Sequence, residues 1–438
     1  MTDPATARTD VAAINRIEHL SSQALLVGMI GNILEWYDFG LYGYLAPAIG
    51  AHFFPSKNPI ASLLGAYGGF ALGFAVRPLG GAILGHIGDR VGRRAVLITS
   101  VALMGIATSA IGVLPTYQQV GLWAPALLLL VRIFQGFSVG GEFTGSVSYL
   151  IETSPRHRRG IAGSFANIGS TGGYLLAAAA ATGTVLLLAH APHLRWVWRV
   201  PFLAGGGIAA LAYWLRTNLS QHGYEPDPID ANQPRALPIK LALTRAPRAM
   251  MLAALFTWGY GAADYLTLVF LPTFASKFGH LASGRALAVN TVGEAVAICT
   301  IPLAGWLTDR VLRRRTMLIL AFALIFSAAI GFFLLAGRGE WAAFALAQLG
   351  FAVFLGMIMG SAPAMLSEQF PSELRLSGYS LAFNVGIGFG GGTAPLIATA
   401  LIGASGSSLA AAGYLMLGAL LSIGALMLMP DRSREPLR

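Results

Sequence analysis

Long apolar segments alternate with short polar connections along almost the whole chain. Twelve windows of about 20 mostly apolar residues recur, and this is the length that an α-helix needs to cross the hydrocarbon core of a bilayer. The sequence therefore predicts an all-α membrane protein with twelve transmembrane helices. The predicted spans lie near 21–48, 60–88, 95–114, 122–151, 160–189, 197–216, 248–275, 284–308, 316–336, 341–367, 375–402 and 407–430.

Two sequence echoes divide these windows into two sets of six. GHIGDRVGRR from Gly85 recurs as GWLTDRVLRRR from Gly305, and IETSPRHRRGIAGSFAN from Ile151 is echoed by SEQFPSELRLSGYSLAFN from Ser367. This repetition predicts two pseudo-symmetric six-helix bundles from a duplicated half. The predicted segments are an N-terminal cytoplasmic tail (1–20), an N-terminal bundle (21–216), a polar cytoplasmic linker (217–247), a C-terminal bundle (248–430) and a C-terminal cytoplasmic tail (431–438).

Composition and charge placement agree with a protein that has lipid as its solvent. Of the 438 residues, 55% are apolar and only 11% are charged. The net charge is +10, and the basic residues are distributed unevenly across the predicted membrane. About 21 of them fall on the side of the N-terminus and about six on the other side. This asymmetry predicts a multi-pass protein of the inner (cytoplasmic) membrane with both termini in the cytoplasm, and no nucleic-acid partner.

Several classes of function lack the residues that they need. The single cysteine, Cys299, excludes a disulfide within the chain and a cluster of thiolate metal ligands. The Gly-rich runs lack the Lys-Ser/Thr that follows a phosphate-binding loop, and no nucleophile elbow is present. We therefore expect no enzyme, no cofactor and no metal. The expected partners are a small-molecule substrate, protons and the lipid bilayer, and the expected state is a monomer.

Seven ionisable side chains fall inside the apolar windows, where each costs several kcal/mol unless it is paired or hydrated. Spacing predicts that Glu35 and Asp38 share a helix face, and that Arg132, Gln135 and Glu142 follow one stripe. An alternative is that the two arginines only neutralise carboxylates and hold the bundle together. The seven are Glu35, Asp38, Arg77, Arg132, Glu142, Asp264 and Glu294.

The five acids outnumber the two arginines in this set. Burial disfavours the charged form of a carboxylate, so acids without cationic partners can take up and release protons. The predicted proton-coupling residues are Glu35, Asp38, Glu142 and Glu294. The predicted substrate-binding residues are Arg132, Arg77, Gln135, Asn32, Tyr42 and Asp264.

The repeated loop motif predicts a second kind of site. In each half an acid ends the second helix beside several arginines, and such a cluster at a helix C-terminus can form a cytoplasmic latch that breaks as the halves rock. A topology signal alone would explain the arginines but not the acids. The predicted gate consists of Asp89, Arg90, Arg93, Arg94, Asp309, Arg310 and Arg313.

In these motifs the chain resembles the major facilitator superfamily, and within it the metabolite:proton symporter family. The resemblance covers nearly all of residues 21–430. It rests on GNILEWYDFGLYGY in the first window, RPLGG at 77–81, GDRVGRR at 88–94, LWAPALLLLVRIFQGFSVGGEFTG from Leu122 and SPRHRRG at 154–160. That family contains carriers of citrate, α-ketoglutarate and shikimate, and of proline with glycine betaine.

The resemblance implies a proton-coupled symporter that works by alternating access. Its cargo would be a small carboxylate-bearing metabolite, either an organic acid such as a di- or tricarboxylate or a zwitterion such as proline or betaine. One alternative is an antiporter for amphipathic drugs, which predicts a wide apolar cavity and indifference to loss of Arg132. Another is a transporter-like sensor or a membrane-embedded enzyme.

Overall fold

The computed structural model describes residues 22–91, 93–139, 142–219 and 238–437. These residues form helices and connections and contain no β-strand. Helices dominate because, in hydrocarbon, a chain must satisfy its backbone N–H and C=O groups internally. The predicted tail at 1–20 and most of the predicted linker lie outside the described residues.

Twelve helical rods make up the described part of the chain, one in each predicted window. Three of them consist of more than one helical piece. The rods are α1 (Ser22–Tyr44), α2 (Pro59–Val91), α3 (Arg93–Val113), α4 (Trp123–Ser138 and Glu142–Glu152), α5 (Arg159–His190), α6 (Val200–Leu219), α7 (Pro247–Asp264, Tyr265–Phe270 and Leu271–Lys277), α8 (Ser283–Arg310), α9 (Arg314–Ala336), α10 (Trp341–Ser367), α11 (Ser372–Ile387, Gly388–Gly392 and Ala394–Ser405) and α12 (Ala410–Leu428).

Eight of these rods are by themselves long and apolar enough to cross a bilayer. The others, α1, α3, α6 and α7, complete the set of twelve, so the predicted fold class is confirmed. Within the predicted linker, α6 continues to Leu219 and a short helix spans Pro238–Arg245. The exact limits of the two bundles remain a prediction.

The first six rods pack against the last six along α5 and α8, whose backbones approach closely at one end. A Cβ on Gly160 would lie 2.5 Å from the carbonyl oxygen of Gly305, and a Cβ on Gly305 would lie 2.7 Å from that of Gly160. Small residues allow this approach between membrane helices. At the other end of the same pair, the hydroxyls of Thr182 and Thr291 are 3.2 Å apart.

A second seam joins α2 to α11. Gly392 lies against the Phe74 ring, and Gly403 lies against Ile60. The two halves therefore contact each other along these two helix pairs, and central side chains such as Glu35 and Arg77 are buried. We call the end that carries the α2–α3, α4–α5, α8–α9 and α10–α11 connections the basic end, and the other the opposite end.

Two π-helical segments face each other within the second half. Tyr265–Phe270 interrupts α7 and Gly388–Gly392 interrupts α11. Gly391 lies against both Gly261 and the Tyr265 ring, so only glycine fits there. Such π-helical turns are frequent at functional sites, because they change the direction of the side chains beside them.

Gly305→Ala should weaken the α5–α8 seam. The new methyl would overlap the backbone of Gly160, and overpacking of this kind costs about 1–3 kcal/mol. We expect a lower apparent melting temperature of the purified protein. The matched control is Gly331→Ala on α9, where nothing lies within 4 Å and alanine is the better helix former. Equal melting temperatures for the two variants would contradict the seam.

Candidate functional site

Two ion pairs lie at the centre of the first half. Glu35 and Asp38 are one turn apart on α1; Glu35 pairs with Arg77 of α2, and Asp38 with Arg132 of α4. The Arg132 Nη1 to Asp38 Oδ2 distance is 3.5 Å, and all four side chains are at most 2% exposed. The spacing therefore brings the predicted charges together, and each arginine compensates one acid.

Asp38 is also held by neutral donors. The Thr108 hydroxyl donates to Asp38 Oδ1 at 2.7 Å, and the Gln135 amide donates to the same oxygen at 2.6 Å. Arg132 Nη1 donates to Gln135 Oε1 at 2.8 Å, which fixes the orientation of the amide. Thr108 was missed by sequence reasoning, because no pattern distinguishes it from the other hydroxyl residues of the apolar α3.

The Arg77 guanidinium has N–H groups that donate no hydrogen bond within the described residues. Its guanidinium lies 5.5 Å from the Trp36 ring, 5.0 Å from the Phe39 ring and 4.9 Å from the Phe74 ring, distances at which cations and aromatic faces attract. Its Nε and Nη1 atoms are buried and have no hydrogen-bond acceptor among the described residues. A buried guanidinium with unused N–H groups is suited to binding a carboxylate.

A small cavity lies beside this arginine, between the two halves. Its volume of about 10 Å³ is close to what one water needs. A small organic metabolite is larger, so the halves must separate before one can enter. The cavity is lined by Glu35, Arg77, Val139, Phe143, Thr144, Phe383 and Asn384.

The second half contributes two acids of a different kind. Asp264 ends the first α-helical piece of α7, and Glu294 lies on α8; they are 1% and 0% exposed. The Tyr44 hydroxyl of α1 donates to Glu294 Oε1 at 2.6 Å across the boundary between the halves. Within the described part of the chain, neither carboxylate forms an ion pair with an arginine or lysine.

Of the remaining predicted site residues, Asn32 and Tyr42 form hydrogen bonds within the first half. Asn32 donates to the Ser146 hydroxyl at 3.1 Å, and the Tyr42 hydroxyl donates to the Ala66 carbonyl at 3.1 Å. The predicted single stripe on α4 is wrong in its second half. The helix ends at Ser138, and a new piece begins at Glu142, whose side chain lies outside the described residues. The sequence between the two pieces contains two glycines, a residue type with low helix propensity.

A cluster of ionic contacts joins the two halves at the basic end. Asp309 accepts the backbone N–H groups of Gly160 (2.8 Å) and Ile161 (2.9 Å), at the N-terminus of α5, where the helix dipole favours an anion. Arg314 pairs with Asp309 at 2.9 Å and with Glu368 at 2.8 Å. The acid predicted for the gate in the second half therefore bridges the two halves.

The arginines predicted for this cluster need correction. The α8 helix ends at Arg310 and α9 starts at Arg314, so the chain turns between them. Arg310 and Arg313 are exposed, whereas Arg314 is 1% exposed and contacts the acids. The side chains of the other predicted members, Asp89, Arg90, Arg93 and Arg94, lie outside the described residues.

Two more ion pairs across the boundary belong to the second sequence echo. Arg159 pairs with Glu368 at 3.4 Å, and Arg375 pairs with Glu152 at 2.6 Å. Burial raises the pKa of Glu368, even though Arg314 and Arg159 favour its charged form. Burial therefore holds the charged form of this carboxylate at a cost. We call Asp309, Arg314, Glu368, Arg159, Arg375 and Glu152 the latch.

Comparison with known proteins identifies a family. A model of the Major Facilitator Superfamily matches residues 28–351 and 286–438. The chain is 31% identical over 425 residues to the glycine betaine/proline/ectoine/pipecolic acid transporter OusA of Dickeya dadantii (strain 3937), covering 95% of this chain and 84% of that protein. It is 33% identical over 412 residues to a putative proline/betaine transporter of Staphylococcus aureus (strain COL), covering 92% and 87%.

Solved structures share the architecture at lower sequence identity. A D-xylose-proton symporter matches with a TM-score of 0.71 and 17% identity, covering 95% of this chain and 99% of that one. The inward open conformation of the xylose transporter XylE from E. coli matches with a TM-score of 0.71 and 17% identity, covering 94% and 97%. At this identity the likeness establishes the fold.

Neutralising one member of the Asp38–Arg132 pair should destabilise the protein more than neutralising both. Asp38→Asn or Arg132→Gln leaves an uncompensated buried charge, which costs about 3–5 kcal/mol. The double variant should recover a large part of the lost melting temperature. The control pair is Arg245 and Glu373, which are 3.9 Å apart but 63% and 77% exposed and should show no measurable coupling. Additive losses at Asp38 and Arg132 would contradict the pairing.

Proposed function

The chain belongs to the Major Facilitator Superfamily, and on this premise we propose that it is a proton-coupled symporter for a small carboxylate-bearing metabolite. It is a multi-pass membrane transporter and not an enzyme. The observation that carries the proposal is the pairing of Arg77 with Glu35 beside a cavity between the halves. The names of its relatives favour a zwitterion such as proline or betaine over a di- or tricarboxylate.

Exchange of partners at Arg77 would couple protons to substrate. When Glu35 takes up a proton it no longer neutralises the guanidinium, which is then free to bind the substrate carboxylate. The charge around Arg77 stays the same in both states, so proton and substrate each favour binding of the other. Asp38 and Arg132 form a second pair of the same kind, with Gln135 and Thr108 holding the carboxylate when it is charged.

Transport further requires that the two ends open in turn. We propose that the latch closes the basic end while the opposite end admits substrate, and that rocking of the halves breaks its ion pairs. The positive-inside rule places the basic end and both termini in the cytoplasm, within the inner membrane. A monomer suffices for this mechanism. An antiporter for amphipathic drugs would favour a wide apolar cavity, whereas this cavity has Glu35 and Arg77 in its wall.

Proton-driven uptake tests the proposal in proteoliposomes. With an imposed inward proton gradient, labelled glycine betaine or proline should accumulate inside the vesicles. If each cycle carries one net charge, a membrane potential of 100 mV allows an inside-to-outside concentration ratio on the order of fiftyfold. Glu35→Gln should lose this accumulation but keep exchange of labelled for unlabelled substrate, because neutral Gln mimics the protonated acid. Glu340→Gln, an exposed acid in the α9–α10 connection, is the control. Accumulation that ignores the proton gradient would refute symport.

Weakening the latch should expose the cavity to the basic end. The readout is labelling of Thr144→Cys, a cavity-lining position, by a membrane-impermeant thiol reagent in a Cys299→Ser background. Glu368→Gln should raise the labelling rate from that side by at least about tenfold, because charge-assisted hydrogen bonds contribute about 1.5–3 kcal/mol each. Glu373→Gln, an exposed acid near the same end, should not. An unchanged rate in Glu368→Gln would argue against a latch.

A further inference from the structure

Four buried polar atoms without partners lie near one another in the second half. Among the described residues, the acceptors Asp264 Oδ1, Glu294 Oε2 and Gln348 Oε1 have no hydrogen-bond partner, and the fourth atom, Asn290 Nδ2, has only the Tyr44 hydroxyl nearby. Asn290 and Glu294 are one turn apart on α8, and Gln348 of α10 donates to Asn290 Oδ1 at 2.7 Å. Buried polar groups are almost always hydrogen-bonded, so such a concentration indicates groups that a ligand can satisfy.

Asp264 belongs to the same cluster through α7. It interacts electrostatically with Glu294 and with the Tyr44 phenol that donates to Glu294. The π-helical segment follows Asp264 directly, and its Thr267 carbonyl accepts a hydrogen bond from Gln348 at 3.0 Å. The distortion of α7 therefore occurs where this helix meets the polar groups of α8 and α10.

Aromatic rings form the wall between these acids and Arg77. The Trp36 ring lies 5.4 Å from Tyr174 and 6.4 Å from Tyr265, and Tyr174 lies 6.5 Å from Tyr44. The guanidinium of Arg77 also packs against the Trp36 ring, at 5.5 Å from its centroid. The rings thus separate a cationic group with unused donors from two acids with unused acceptors.

The charges of this region are segregated between the halves. Both central arginines pair with acids of the first half, whereas Asp264 and Glu294 lack a cation within the described chain. Two neighbouring acids repel each other at low dielectric, and a ligand with one positive charge relieves this repulsion. A proton can neutralise one acid, but only an alkylated ammonium group also gains from the surrounding ring faces.

We propose that Asp264 and Glu294, with the Tyr44, Tyr174 and Tyr265 rings, bind the alkylammonium end of a zwitterionic substrate. The carboxylate end is directed to Arg77 on the far side of the rings. This inference rests on the proposed function and specifies which end of the substrate each half binds. Because these groups come from both halves, the site is fully formed only when the halves close on the ligand.

A pair of ligands with the same shape tests the charge requirement in the unmodified protein. Glycine betaine and 3,3-dimethylbutanoate differ only in that a carbon replaces the quaternary nitrogen, so both carry the carboxylate and only one carries the cation. We expect thermal-shift titration of the purified protein to give at least about tenfold tighter binding of glycine betaine. Equal binding of the two ligands would overturn the inference.

Variants locate the subsite. Glu294→Gln and Asp264→Asn should lose most of the preference for glycine betaine over 3,3-dimethylbutanoate, while Glu294→Asp, which keeps the charge, should retain part of it. Glu340→Gln should bind like the unmodified protein. If both neutral variants keep the full preference, the cation binds elsewhere and the inference fails. The preference distinguishes two roles for these acids. If they only released protons, the neutral variants would change gradient-driven uptake but would keep the preference for glycine betaine.

A separate measurement, proton-driven uptake, tests the proposed function independently of the cationic subsite. The uptake assay under a proton gradient is repeated with glycine betaine, proline and a dicarboxylate. Gradient-driven uptake of the dicarboxylate with no binding of the zwitterions would overturn the cationic subsite and leave symport standing. Absence of gradient-driven uptake for all three would overturn the proposed function, and the inference with it.

Discussion

A charge inside hydrocarbon must be compensated by the protein itself, and this requirement determines how the central helices are arranged. Glu35 and Asp38 extend from α1 toward arginines on α2 and α4, so three helices converge on two ion pairs. Removing one partner leaves the other uncompensated, which makes each pair costly to break and sensitive to one proton. The same interaction thus holds the first half together and gives it a means of responding to protons.

The apolar pattern predicted all twelve rods because a segment that enters a membrane must be mostly apolar, although four of the rods are individually shorter or less apolar than the other eight. It also identified the charged residues that meet at the centre, since few are tolerated there. Their partners could not be predicted in the same way. Thr108 looks like any other polar residue in an apolar helix, and the stripe that ends at Glu142 failed because a local break after Ser138 overrides helical periodicity. The loop motif did not show which of its arginines contacts the acids, because the turn between α8 and α9 directs Arg314 inward and leaves Arg310 and Arg313 exposed.

The two halves share a fold but not a distribution of charge. The first half balances its acids with arginines, and the second presents acids beside aromatic rings. Sugar symporters at 17% identity have the same architecture, so the architecture alone does not select a cargo. Selection must come from the side chains that the two halves present to each other, and here these differ in sign.

Two ion pairs of the latch, Arg159–Glu368 and Arg375–Glu152, indicate how the chain originated. Glu152 and Glu368 occupy equivalent places in the echoed segments, as do Arg159 and Arg375, and each glutamate meets the arginine of the other half. In a symmetric dimer of one six-helix ancestor, a single Glu and a single Arg would make both contacts at once, because an isologous interface duplicates every interaction. Fusion of two such copies into one chain would let each contact change independently, and in the second half Glu368 also pairs with Arg314.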